Sequence, residues 1–250
     1  MIKLSILIPV RNEEKCIAAT VRAIVEEMQS AVIEHEVLVI NDGSTDRTED
    51  VLKKLVQEYS AVRYLNNPAP NGFGLAVRKG LRSFSGDAVV VVMGDGSDSP
   101  ADIVEYYEKL NEGYECVFGS RFIKGGHIHS YPLHKLILNR CANSFIQFLF
   151  GLSFNDTTNA FKCYHRNVIE GLEPFLSNHF NLTVELPLKA IIRGYKYAVI
   201  PVSWTNRVEG ISKLKIKEMG SRYLFIVLYL FLEKILSRGD YYRKDRQDRE

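Results

Sequence analysis

Oxygen-bearing side chains gather in three short turns of this sequence: Arg11-Asn12-Glu13, Asn41-Asp42-Gly43-Ser44-Thr45-Asp46 and Asp95-Gly96-Ser97-Asp98. Carboxylates and hydroxyls of this kind suit a hard divalent cation, Mg2+ or Mn2+, with Asp95, Ser97 and Asp98 as candidate metal ligands; such ions bridge phosphates to protein. Each turn closes a run of β-prone apolar residues: Leu4 to Pro9, Glu36 to Ile40, and Val89 to Met93. Asp and Gly in one turn do no more than build it. Three such turns at the carboxyl ends of parallel strands form a crevice, the edge at which open α/β sheets bind ligands. Its acceptors suit a ribose, a base and a diphosphate. No G-x-x-x-x-G-K-[ST] is present, and Gly72-Phe73-Gly74 lacks the third glycine of a dinucleotide fingerprint, so the Walker and hydride-transfer readings fail.

The elements that must position these turns follow from periodicity. Ile17, Val21, Ile24, Val25 and Met28 mark a first helix, and Val51, Leu52, Leu55 and Val56 a second, with Asp46 and Glu49 as a capping box. Val62 to Asn66 is a third strand, Leu75 to Ser83 a helix, Pro100 to Asn111 another, and Cys116 to Ser120 a fifth strand. This β-α alternation predicts an α/β fold, a mostly parallel sheet with helices on both faces. Residues 121–132 read as a loop carrying His127 and His129. Beyond it come a helix from Leu133 to Phe150, a strand from Ala160 to Tyr164, a helix from Val184 to Arg193 and a strand from Tyr197 to Val202. A mostly helical segment, Ile211 to Ser237, closes the chain.

The bulk numbers bound the rest. A chain of 250 residues with a net charge of +2 holds one large domain and offers no basic surface for nucleic acid. Its four cysteines are scattered, as in a reduced, cytoplasmic setting. The opening Met1-Ile2-Lys3 runs straight into a strand, so no signal peptide is expected. The longest apolar run, Leu224 to Leu232, is short of the roughly 20 residues that span a bilayer.

In order along the chain, Pro9-Val10-Arg11-Asn12-Glu13, Asn41-Asp42-Gly43-Ser44-Thr45-Asp46 and the acidic turn after the fourth strand resemble the family-2 inverting glycosyltransferases of GT-A fold. Gly119-Ser120-Arg121-Phe122, Asp156-Thr157-Thr158-Asn159-Ala160-Phe161-Lys162 and Trp204-Thr205-Asn206-Arg207 through Lys213-Leu214 are similar to the dolichol-phosphate mannosyltransferase and polyprenyl-phosphate glycosyltransferase branch. The resemblance implies a GT-A domain over 1–213, with a nucleotide-sugar half of about 1–120 and an acceptor half of about 121–213. An amphipathic, interfacial helix over 214–238 and a charged tail over 239–250 would follow. It also implies transfer of a hexose from a GDP- or UDP-linked donor to a polyprenyl phosphate, assisted by Mg2+ or Mn2+. Pro9, Arg11, Asn12, Glu13, Asn41, Asp42, Asp95 and Lys213 would bind the nucleotide-sugar. Asp156, Arg121 and Arg207 would serve the reaction, because Arg grips phosphate oxygens in a bidentate way. Two positions depart from the family pattern: Asn41 stands for a first aspartate, and Met93 for the first carboxylate of a D-x-D, where Asp98 can compensate.

Other readings stay open. A glycan hydroxyl acceptor would need a general base, for which Asp156 and Glu185 are candidates. A catalytically silent nucleotide-sugar-binding module is suggested by Asn41 and Met93. His127 and His129 form either a metal pair or part of a mobile loop. The helices with Leu133, Ile137, Phe145 and Phe148, and with Tyr223, Phe225, Tyr229 and Phe231, either pack away or lie in a membrane interface. In that interface Lys135, Arg140, Arg222, Lys234 and Arg238 would meet anionic headgroups, leaving the protein peripheral on the cytoplasmic face of the membrane.

Overall fold

The structure, a computed structural model, describes residues 2–206 and 216–243. Its centre is a seven-stranded sheet of order β3-β2-β1-β4-β7-β5-β8. The strands are β1 (Leu4–Val10), β2 (His35–Asn41), β3 (Val62–Asn66), β4 (Ala88–Val91), β5 (Cys116–Ser120), β7 (Lys162–His165) and β8 (Tyr197–Pro201). A two-stranded ribbon, β6 (His127–His129) with β9 (Ser203–Thr205), stands beside it. The helices are α1 (Ile17–Ser30), α2 (Thr48–Glu58), α3 (Phe73–Leu81), α4 (Pro100–Asn111), α5 (Leu133–Phe150), α6 (Arg166–Leu172), α7 (Leu182–Ile192) and α8 (Ile216–Leu236).

Strand residues alternate between two cores, as a period of two requires. Ile6, Ile8, Val37, Val39 and Val90 point toward α1, α2 and α4, whereas Leu7, Leu38, Val89, Val91 and Phe118 point toward α3, α6 and α7. Every residue of β1, β4 and β5 is buried, which explains why they read as continuous apolar runs.

Most elements lie where periodicity places them, and the exceptions have physical causes. The strand expected from Ala160 starts at Lys162 and runs antiparallel to both β4 and β5. Its entering segment, 155–161, therefore arrives at the same edge where β1, β2 and β4 end. The supposed loop after Ser120 holds β6, and Ser203 to Thr205 hold β9; three-residue strands carry no periodicity to detect. The short helix α6 was not legible either. The capping box does not form: the Asp46 carboxylate accepts the Thr48 N–H at 3.0 Å and hydroxyl at 2.6 Å, while Glu49 accepts from Tyr64 and Asn66.

Glu36 is the ionisable exception inside β2. Its carboxylate accepts the Ser5 hydroxyl at 2.6 Å, the Ser85 N–H, and Arg63 Nε at 2.8 Å. Burial works against its charge, but these partners prevail and hold its pKa at about 2, below the ordinary 4.5. A depressed carboxylate pKa adds stability that is complete above the unfolded value and lost as pH falls toward the folded one. About 3 kcal/mol should thus disappear between roughly pH 4.5 and 2. Denaturant melts across this range should show Glu36→Gln with a flatter acid limb than the parent; an unchanged limb would assign the acid sensitivity elsewhere.

Candidate active site

A cavity of ≈ 560 Å³ opens at the carboxyl edge of the sheet. Pro9, Arg11 and Glu13 line it from the end of β1, Asp42 from β2, and Met93 and Asp98 from the turn after β4. Arg121, Tyr131, Asn159, Trp204 and Tyr223 form the opposite wall. The three turns singled out in the sequence do converge, but their residues divide between lining and scaffold.

Asn12 and Asn41 lie off the cavity lining. Asn12 takes a positive φ of 53°, and its side-chain Oδ1 accepts the Thr45 N–H at 2.7 Å. Asn41 is buried, donates to Asn66 at 2.8 Å and accepts the Ser44 N–H at 3.2 Å. Asn12 thus clips the first turn to the second, while Asn41 closes the second turn on itself and ties it to the end of β3. Asp42 is fixed by a loop the sequence offered only as a connector: its Oδ1 accepts Asn67 Nδ2 at 2.7 Å, Asn71 Nδ2 at 3.3 Å and the Gly72 N–H at 3.2 Å. Gly74, in the first turn of α3, lets that helix abut the segment leading to α7, since a Cβ there would fall 2.5 Å from the backbone of Asn178 and His179. The glycines that mimicked a dinucleotide fingerprint thus serve close packing.

In the acidic turn, Asp98 rather than Asp95 or Ser97 lines the cavity. Asp98 is buried and accepts the Met93 N–H at 2.9 Å, while Asp95 accepts the Ser97 N–H at 3.2 Å. Burial, with the neighbouring Asp95 charge, pushes the Asp98 pKa up to about 7 against the pull of the Met93 N–H and Arg121. A buried carboxylate whose ionisation is opposed by burial and by a neighbouring acidic side chain is a donor that a divalent cation would relieve, so Asp98 together with Asp95 fits Mg2+ or Mn2+, the diphosphate and water supplying other oxygens. Among the described residues no group of three or more His, Cys, Asp or Glu could hold a metal by itself. His127 and His129 sit on the exposed ribbon with ring centroids 6.4 Å apart.

Arg121 and Asp156 face each other. Arg121 Nε and Nη2 donate to the two carboxylate oxygens at 2.8 Å each, and the Arg121 backbone N–H donates at 3.0 Å. Asp156 is fully buried and Arg121 is 7% exposed, yet Arg121 still lines the cavity. Burial opposes its charge, but Asp156 outweighs burial and the guanidinium pKa is raised. The rings of Phe122, Tyr131 and Trp204 lie 5.3, 5.8 and 5.9 Å from the guanidinium carbon, within cation–π range. Beneath it Lys162 is buried, donating to the Thr157 carbonyl at 3.0 Å; burial foremost, with Arg121 adding, brings its pKa down to about 7.

Glu185 is neither on a helix surface nor at the cavity. It is fully buried, accepts the Leu176 and Ser177 N–H groups at 2.8 and 2.7 Å, and pairs with Lys189 at 2.7 Å. Arg207 and Lys213 lie outside the described residues. Tyr131 and the stacked Phe73–Phe180 pair line the cavity without a role assigned from sequence, where an aromatic residue reads as core; Trp204, quoted there only within a motif, and Tyr223, expected to pack away or meet a membrane, line it too.

This geometry belongs to a recognisable class: residues 5–172 match glycosyl transferase family 2, and the chain belongs to that family. It is accordingly a glycosyltransferase. Over 217 residues it is 29% identical to the polyprenol monophosphomannose synthase of Mycolicibacterium smegmatis, spanning 84% of this chain and 80% of that one. Over 215 residues it is 27% identical to the dolichol-phosphate mannosyltransferase of Pyrococcus furiosus, spanning 85% of this chain but only 59% of that longer protein. Its fold is that of Mycobacterium tuberculosis glucosyl-3-phosphoglycerate synthase solved with Mn2+, uridine-diphosphate and phosphoglyceric acid: TM-score 0.68, 19% identity, 93% of this chain and 78% of that one. The same enzyme solved with Mg2+ and uridine-diphosphate gives a TM-score of 0.64 at 18% identity, over 93% and 79% of the two chains.

Proposed function

We propose that the protein transfers a hexose, with inversion, from a GDP- or UDP-linked donor to a polyprenyl phosphate. The observation that carries this reading is one cavity shared by the acidic turn and a preorganised arginine: Asp98 on the donor side, Arg121 on the acceptor side. Both named relatives act on polyprenol or dolichol phosphates, which supports the acceptor class.

The chemistry follows from charge. An acceptor phosphate is already ionised near neutral pH, so the reaction needs positioning and charge stabilisation more than a base. Pro9, Arg11, Glu13 and Asp42 would hold the nucleoside. A divalent cation held by Asp95 and Asp98 would neutralise the departing diphosphate. Arg121, its fork fixed by Asp156, would steer the acceptor phosphate toward the anomeric carbon. The alternative hydroxyl acceptor is disfavoured because Asp156 and Glu185 are both held in buried ion pairs and do not line the cavity.

Membrane docking is the second part of the proposal. α5 and α8 pack on α7 through Ile146, Phe150, Ile226, Val227 and Leu230. Their other faces stay apolar and exposed: Phe148 is 87% exposed, Phe225 63% and Leu236 68%. α8 is therefore apolar on two sides rather than simply amphipathic. Among the described residues no helix is long and apolar enough to cross a membrane. Of the basic residues expected at headgroups, Arg140 and Lys234 donate to backbone carbonyls at 3.0 and 2.7 Å and Arg222 lines the cavity, so apolar area would dominate the docking.

The test is a matrix of nucleotide-sugars against polyprenyl phosphate in liposomes, with and without Mg2+ or Mn2+. We expect a glycolipid from one donor, dependent on metal, and co-sedimentation of the protein with the liposomes that weakens in Phe148→Ser/Phe225→Ser. No glycolipid from any pairing would defeat the transfer reading, and a folded protein that stays in the supernatant would defeat the docking.

A further inference from the structure

Three consecutive residues of β9 are tied to the acidic turn and the start of α4. The Ser203 N–H donates to the Asp102 carboxylate at 2.8 Å, Trp204 bridges Asp98 in antiparallel fashion, and the Thr205 N–H donates to the Ser97 carbonyl at 3.0 Å. On its other side β9 pairs with β6. The Trp204 ring lies against Tyr131 with centroids 4.9 Å apart, and both rings flank the Arg121 guanidinium. A short strand held at every residue moves with what holds it. We infer that Asp102 and Trp204 are positioning residues that couple the cation-and-diphosphate end of the cavity to Arg121. Occupation of the donor end then sets the geometry offered to the acceptor phosphate. This rests on the reading of the cavity given above. Neither residue touches the reacting atoms: Asp102 acts through β9, and Trp204 through the rings around Arg121.

The physical requirement is a differential contact between two arrangements of one element. The acidic turn supplies it. Asp98 lines the cavity with its carboxylate and bridges to Trp204 through its backbone, so drawing that side chain onto a cation would pull on the backbone that carries the bridge. By linkage the coupling is reciprocal, and its usual size predicts a change in acceptor affinity on the order of tenfold.

Trp204 is the sole tryptophan of the sequence, so it reports on itself. Mg2+ with GDP, and Mg2+ with UDP, should be titrated into the full chain while indole emission and binding heat are followed; the affinity of a short water-soluble prenyl phosphate is then measured with and without the nucleotide. We expect an emission change that saturates with the binding heat, and prenyl phosphate held about tenfold tighter when the nucleotide is bound. Asp102→Ala should lose both effects while still binding the nucleotide, and should raise the acceptor KM with little change in kcat. Asp102→Asn, which keeps an oxygen acceptor for the Ser203 N–H, should restore them. Trp204→Ala gives a second comparison through the prenyl phosphate affinity alone, should Asp102→Ala melt below the assay temperature. Nucleotide binding without an emission change, or an Asp102→Ala protein that keeps the tenfold gain, overturns the inference. If neither nucleotide binds, the donor reading of the cavity fails and the inference falls with it.

Discussion

Asp156→Asn should leave a folded but weakened protein that transfers sugar about 100-fold more slowly, because the guanidinium of Arg121 loses its counter-charge where water cannot replace it. Breaking a buried pair by neutralising one member costs about 3–5 kcal/mol, since the other charge stays behind unpaired. Three hydrogen bonds converge on the Asp156 carboxylate from Arg121, two from the side chain and one from the backbone. The amide of asparagine can satisfy only part of that set and puts its own donors toward other donors. The kinetic loss follows from position: a displacement of about 1 Å in a positioning group is worth about 10²-fold. Denaturant melts read the first effect and steady-state transfer the second. If Asp156 were a base, the pH–rate profile would lose an ionisation in the variant. On the present account the profile keeps its shape and only its height falls. A variant as active as the parent would show that Arg121 is held without Asp156.

Asp95→Ala should abolish metal-dependent transfer while leaving thermal stability near that of the parent. Asp95 is partly exposed, whereas its neighbour Asp98 is buried at the cavity. With Met93 where a carboxylate could stand, the turn has two acidic donors, and removing one leaves a cation held by a single carboxylate. Loss of the charge a cation would neutralise at the leaving diphosphate is worth several kcal/mol, on the order of 10³-fold in rate. Mn2+ binding followed by its paramagnetic signal gives a readout independent of turnover, and should weaken in Asp95→Ala and in Asp98→Asn alike. Tight Mn2+ binding by both variants would move the cation elsewhere in the cavity.

How much of this was legible in the sequence depended on range. The polar turns after β1, β2 and β4 announced themselves because strand, turn and helix cap are contiguous, and the parallel order of those strands brought them together as expected. The hydrogen bonds of Asn12 and Asn41 were not legible for a related reason: short amides in such turns serve either a ligand or the turn itself, and only the structure shows their bonds to Thr45 and Ser44. Asp156 was found by resemblance, but its partner Arg121 is 35 residues away and no local pattern links them. Glu185 was offered as a base for a hydroxyl acceptor, which needs it at the cavity; its burial depends on Lys189 and on the segment before α7, which sequence spacing does not reveal. The reversal of β7 was invisible altogether, since a four-residue strand looks the same in either direction.

That reversal has a consequence for how the molecule can be divided. β7, which belongs to the later half of the chain, lies between β4 and β5 of the earlier half and bonds to both. Cutting the chain after β5 would leave β4 and β5 without the strand that joins them, exposing two sets of unpaired backbone groups at a sheet interior. The halves before and after residue 120, to which we assign donor and acceptor by proposal, are therefore interleaved in the sheet, so neither could be exchanged as a cassette between related enzymes without carrying the other's central strand with it.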